Sequence, residues 1–141
     1  MSTLQVDIVS AEEQLYAGQA SMVIAPAAEG DVGIAPRHAP LLTRLRPGEL
    51  RITPEGDEEE FFFYASGGLL EVQPHKVTVL ADTAVRARDI DEAAALEAKR
   101  RAEEKLREQK DEVDYSSVQA ELAEAMAQLR TLESLRKRAK R

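Results

Sequence analysis

At 141 residues, 43% hydrophobic and 32% charged, the chain has room for one ordinary domain, or one compact domain with an appendage, and not for two enzyme domains. It holds no cysteine, which excludes a disulfide framework, a thiolate zinc site and a cysteine nucleophile. The net charge of −7 falls on residues 1–89, with 14 acidic and 7 basic side chains, whereas residues 90–141 hold 12 of each.

Met1 to Gln5 lacks the basic and apolar regions of a signal peptide, and no run reaches the roughly 18 apolar residues of a membrane span, so the chain is expected to stay where it is made. The first module then alternates with period two between turn residues, the pattern of short strands in a sandwich or barrel. Leu4, Val6 and Ile8 form one run and Ser21 to Ala25 a second. Leu50 to Thr53 leads through Pro54-Glu55-Gly56-Asp57 into the aromatic run Phe61 to Tyr64, which predicts a hairpin. Leu69 to Val72 and Lys76 to Ala81, separated by Gln73-Pro74-His75, predict another. The prolines at 26, 36, 40, 47, 54 and 74 are expected between strands because proline cannot donate to a ladder, and none occurs beyond Pro74.

After Arg88 the composition changes to Ala, Glu, Lys, Arg and Leu, with neither Gly nor Pro to the end. Asp89 with Glu92 three residues on predicts a capping box and a helix start. Ile90, Ala94, Ala98, Ala102 and Leu106 recur every four residues, a thin apolar stripe. Periodicity lapses around Asp111 to Asp114. Val118, Leu122, Ala125, Leu129 and Leu132 then recur at four, three, four and three, which predicts a second helix antiparallel to the first. The expected architecture is therefore β plus α in separate modules: a β-sandwich domain over 1–88 and an antiparallel two-helix hairpin over 89–141. Because alanine buries little area, the seam of that hairpin is weak, and reopening or detachment is an expected property.

Catalytic groups are hard to place. Gly67-Gly68 lacks the Lys-Ser/Thr of a phosphate loop and opens a strand, so a bulge or tight crossing is the expected role. His38 and His75 are the only histidines, and neither has a partner at metal-ligand or triad spacing. His75 reads as a turn residue, and His38 lies in a long, Pro-fixed loop, Asp31 to Pro40, of the kind that binds something. The acidic turn Asp57 to Glu60 reads as solvated rather than as a cation site. The end of the chain, Arg136-Lys137-Arg138-Ala139-Lys140-Arg141, offers five cations to water, an acidic surface or a nucleic acid.

Three ordered motifs carry a resemblance: Gly30-Asp31-Val32-Gly33-Ile34 with His38-Ala39-Pro40-Leu41-Leu42, then Ser66-Gly67-Gly68-Leu69-Leu70-Glu71-Val72-Gln73-Pro74, then Val77 to Ala84. With Asp114-Tyr115 and Ala127-Gln128-Leu129-Arg130 in the second helix, nearly the whole chain resembles the epsilon subunit of bacterial F-type ATP synthase. The resemblance implies a flattened β-sandwich, a two-helix C-terminal domain and a place on the rotating central stalk, with no active site and no cofactor in this chain. It implies that the loop bearing Asp31, Arg37 and His38 faces the gamma subunit and the c-ring, and that Arg37 stands where the family commonly has glycine.

The resemblance further implies that the helices extend among the catalytic subunits and block ATP hydrolysis, with Arg136, Lys137 and Arg138 meeting an acidic segment of the beta subunit. Some members bind ATP through an Ile/Leu-Asp-x-x-Arg-Ala motif. Here the stretch is Ile90-Asp91-Glu92-Ala93-Ala94-Ala95, and Ala94 in place of the arginine implies that nucleotide binding through Asp91 is weak or absent. The implied location is the cytoplasmic face of the bacterial inner membrane, peripheral and held there through the complex. Two readings from other classes stand beside this one: a nucleic-acid-binding module using the basic tail, and a small hydrolase centred on Asp31 and His38.

Overall fold

The computed structural model describes residues 2–56, 59–108 and 112–139. Asp57 and Glu58 of the acidic turn, Asp111 before the second helix, and Lys140 and Arg141 of the tail lie outside that range.

Nine strands precede the helices: β1 Leu4–Ser10, β2 Gln14–Ala27, β3 Gly30–Ile34, β4 Leu41–Leu45, β5 Gly48–Pro54, β6 Phe61–Ala65, β7 Gly68–Gln73, β8 Lys76–Ala81 and β9 Ala84–Arg86. They form two layers that share β2. Its first half pairs with β1, which continues through parallel β8 to antiparallel β7 and β4. Its second half pairs with β3 on one side and with β5 on the other, and β5 continues to β6 and then β9. A register shift between Ala20 and Met22 lets one long strand pass between layers, the usual work of a bulge. Leu4, Val6, Ile8, Val23, Ile34, Leu50, Ile52, Phe63, Leu70, Val77 and Val79 fill the space between the layers, each at most 1% exposed. Alternate residues of β1, β5 and β8 supply this core because strand side chains alternate faces.

Three strand expectations change. Asp31 to Ile34 belongs to β3, so the loop is shorter, from Ala35 to Pro40. β4 and β9 exist where the sequence suggested connections. Pro26 and Pro54 lie within strands: Pro26 is paired with Asp31 of the short strand β3 and its carbonyl accepts the Arg46 N–H at 2.9 Å, while Pro54 ends β5.

After a 3-10 turn at Ala87–Asp89, α1 spans Glu92–Glu108 and α2 spans Glu112–Ala139. They run antiparallel: Glu92 at the start of α1 pairs with Arg136 near the end of α2, and Lys105 near the end of α1 pairs with Glu121 at 3.9 Å. The cap of α1 is Asp91, whose Oδ1 accepts the Ala94 N–H at 3.0 Å, rather than Asp89. On α1 the buried residues are Ala95 and Ala102, while Ala94 and Ala98 are exposed. The physical reason is helical drift. Steps of four overshoot a 3.6-residue turn by about 40° each, so a stripe built only of such steps winds off the seam. The alternating stripe of α2 drifts by only about 20° per seven residues, and Val118, Ala125 and Leu132 are buried along it.

A second stripe on α2 had no sequence signal. Ala127, Thr131, Ser134 and Arg138, spaced four, three and four, lie along the outer face of β5–β6. That docking explains the aromatic run. Phe63 enters the sandwich core, while Phe62 and Tyr64 on the opposite face are 6% and 2% exposed beneath the helical layer.

Candidate functional site

The residues singled out from the sequence fall into two regions, with Asp31 at the edge of the second, where it lines a cavity with Glu49, Arg51 and Ala127. Asp31 is the second residue of β3 and its carboxylate pairs with Arg46 at 2.6 Å. His38 lies beyond the other end of β3, with its Nδ1 2.7 Å from the neighbouring Ala39 carbonyl oxygen. The body of β3 stands between them, and a strand advances ~3.3 Å per residue. Asp31 and His38 are therefore not assembled as an acid–base pair, and the hydrolase reading loses its centre.

Arg37 is the one non-glycine residue among those described with a left-handed backbone, φ 69°. Its N–H donates to the Pro74 carbonyl at 2.8 Å, and the His38 N–H donates to Ala35 at 3.2 Å. The β3–β4 loop is thereby tied to the β7–β8 turn, where His75 in turn accepts the Gln5 N–H at 2.9 Å. A side chain at this φ crowds its own carbonyl, which glycine avoids. We expect Arg37→Gly to stabilise the chain by about 0.5–1 kcal/mol in urea unfolding; a loss of stability would contradict this reading of the loop.

On the outer face of the β1–β8–β7–β4 layer, away from the helices, lies a patch the sequence did not announce. Leu69 and Leu80 are cross-strand neighbours, and Leu42 on β4 projects from the same face. They are 43%, 49% and 68% exposed. Apolar side chains grouped on an open sheet face offer area that a partner could cover. Leucines on strands look like core from the sequence, so this surface becomes visible only when the layers are known.

The helical layer carries the other region. Arg136 pairs with Glu92, one guanidinium nitrogen lying 3.1 Å from Oε1, and this bond holds the exposed Glu92 carboxyl below its usual range. Arg138 pairs with Glu60 at 3.2 Å, and Lys137, with a side chain 74% exposed, pairs with Glu133 of its own helix. Arg51 lies between Glu49 and Glu60, at 3.8 and 3.6 Å, with its guanidinium 5.5 Å from the Phe62 ring centre. Ser134 Oγ donates to Glu49 at 2.9 Å, yet burial is the larger influence and pushes the Glu49 carboxyl up. Burial likewise pushes the Tyr64 phenol up, with Glu124 adding to the effect.

Along the groove between α1 and α2, closed at one end by Val85 of β9, is a cleft of about 480 Å³, lined by Asp91, Ala94, Arg101, Lys105, Glu121 and Glu124 among others. Its cations are matched: Arg101 pairs with Glu97 and Lys105 with Glu121. Asp91 is committed to capping α1, and Ala94 offers no donor to a phosphate. Among the described residues no group of three metal-ligating side chains occurs, and no helix is long and apolar enough to cross a membrane.

Comparison with known proteins gives concordant results over the full length. The family model for the beta-sandwich domain of the ATP synthase delta/epsilon chain matches residues 3–87, and that for its long alpha-helix domain matches residues 88–133. The ATP synthase epsilon chain of Alkalilimnicola ehrlichii is 72% identical over 141 residues, all of both chains. That of Nitrosococcus oceani is 62% identical over 137 residues, covering 96% of each. Among solved structures, a chain of the Euglena gracilis mitochondrial ATP synthase (OSCP/F1/c-ring, rotational state 1) superposes with a TM-score of 0.83 at 20% identity, over 94% of this chain and 82% of that one. A chain of the Tetrahymena thermophila mitochondrial ATP synthase central stalk and c-ring gives 0.64 at 13% identity, over 93% and 97%. At such identities these two likenesses concern the fold alone.

Proposed function

The chain belongs to the epsilon-chain family of ATP synthase, and from that premise we propose that it is a non-catalytic subunit of the central stalk in a proton-translocating enzyme, coupling rotation to ATP synthesis and restraining ATP hydrolysis through its helices. The observation that carries the reading is the full-length match in both modules to epsilon chains, in the order body then helices.

The division of labour follows the two modules. Residues 1–88 dock on the gamma subunit and the c-ring, and residues 89–141 regulate. The loop with Arg37 and His38 and the more distant Asp31 supply polar contacts to the rotor. The Leu42, Leu69 and Leu80 face supplies apolar area to the interface, covering each of these partly exposed leucines contributing on the order of 1 kcal/mol. When the helices extend, Arg136, Lys137 and Arg138 meet the beta subunit, an attraction that salt weakens. The complex holds the chain at the cytoplasmic face of the bacterial inner membrane.

Tagging the chain and isolating it from its host tests this directly. Gamma and the c-ring are expected to accompany it in fixed ratio, and recovery of the chain without either would contradict the assignment. Nucleotide is a separate matter. Because Ala94 replaces the motif arginine and the cleft cations already have carboxylate partners, calorimetry on the isolated chain is expected to find ATP binding weak or absent, the loss of a charge-assisted bond being worth about 1.5–3 kcal/mol, or roughly 10- to 150-fold in affinity. Micromolar affinity would overturn that expectation.

A further inference from the structure

The cations at the end of α2 are not idle in the folded hairpin. Glu60 has a side chain only 17% exposed and Glu49 one only 22% exposed, both on the sheet face that α2 covers. Two carboxylates so placed need compensation, because a charge withdrawn from water is costly unless it is paired. Arg51 lies between them and supplies one cation. Arg138 supplies the second from α2, at 3.2 Å from Glu60, and Ser134 one turn earlier donates to Glu49. With Arg138 in place the four charged groups sum to zero, and without it the patch is left with an excess negative charge. Phe62 forms the apolar floor beneath Arg51, so the arginine cannot easily swing away to serve one acid alone.

We propose that Glu49, Arg51 and Glu60 form an intramolecular receptor for the last turns of α2, and that Arg138 is thereby shared between two mutually exclusive acidic partners. In the docked hairpin it belongs to Glu60, and in the extended form it belongs to the acidic surface of the neighbouring subunit. Only the second half rests on the inhibitory reading above. Arg136 and Arg138 become available to such a partner only on release from Glu92 and Glu60. The strength of the receptor therefore sets how readily the hairpin opens.

The chain's lack of cysteine provides the test. Thr131 is fully buried on the docking stripe, so in a Thr131→Cys background the rate of thiol labelling reports opening of α2 from the sheet. Glu60→Gln, which keeps the side-chain shape, is expected to speed labelling about fivefold to tenfold, as for loss of one partly buried charged contact. Arg138→Glu alone is expected to do at least as much. Combining Glu60→Gln with Arg138→Gln is expected to speed labelling no more than about twofold beyond Glu60→Gln alone, because the second substitution removes a contact already lost. Unchanged labelling in Glu60→Gln, or a double variant labelled more than about fivefold faster than Glu60→Gln alone, would overturn the receptor. Labelling is done on the free chain, so it stands apart from inhibition. If Glu60→Gln speeds labelling yet leaves hydrolysis by the assembled enzyme unchanged, the receptor stands and the inhibitory reading fails.

Discussion

Gly68→Ala is expected to cost more than about 4 kcal/mol, enough to remove most of the stability of a domain this size. Two effects combine at this position. Its φ of 135° lies where a Cβ is strongly disfavoured, worth on the order of 1–3 kcal/mol by itself. A Cβ built there would also lie 2.1 Å from the Leu80 carbonyl oxygen and 2.9 Å from Ala81 Cα, both backbone atoms of the paired strand β8. Neither can move without breaking the β7–β8 ladder at the Gly68 and Ala81 pair. A thermal midpoint lowered by more than about 10 °C, or loss of a cooperative transition, is the expected result. A variant melting within about 2 °C of the parent would show that the crossing is looser than the structure has it.

The second large effect concerns docking rather than folding. Replacing Leu69 with Glu and Leu80 with Lys puts opposite charges on a cross-strand pair at the open sheet face. Because both side chains are already well exposed, folding stability is expected to stay within about 0.5 kcal/mol. If this face is covered by gamma, each substitution forfeits apolar burial and places a charge in a dry interface, and affinity is expected to fall by at least about 100-fold, or 2.7 kcal/mol. Titration of gamma with the parent and the double variant reads this directly. Equal affinities would move the interface elsewhere on the body.

The fold was legible wherever one face of an element was buried and the other was not. β1 and β8 alternate, so their inward residues could be named from the sequence. β3, with Gly30, Asp31 and Gly33 among its five residues, has almost no apolar pattern and is a strand through pairing with β2. The aromatic run of β6 reads as the strand of a hairpin with β5, as it is, but without alternation to say which side faces inward, because both of its faces are covered, one by the sandwich and one by α2. The same contact hid the second stripe of α2. Ala127, Thr131, Ser134 and Arg138 are small or polar, and only the partner surface with Glu49 and Glu60 makes sense of them. Arg37 was visible as a departure from glycine, but its meaning, a left-handed turn bonded to Pro74, needed the backbone. Asp31 and His38 were close in sequence and looked like one loop, whereas β3 sets them apart.

The division between a docked body and a regulating hairpin is tested most directly by removing residues 90–141 and measuring two things in the same preparation of assembled enzyme. Retention of the truncated chain with gamma reports the body, and the rate of ATP hydrolysis reports the hairpin. The expected result is full retention together with hydrolysis raised about fivefold or more, the scale of a coupling energy of 1 kcal/mol upward. Retention with unchanged hydrolysis would remove the regulatory role from the helices, and loss of the chain from the complex would show that the body does not dock by itself.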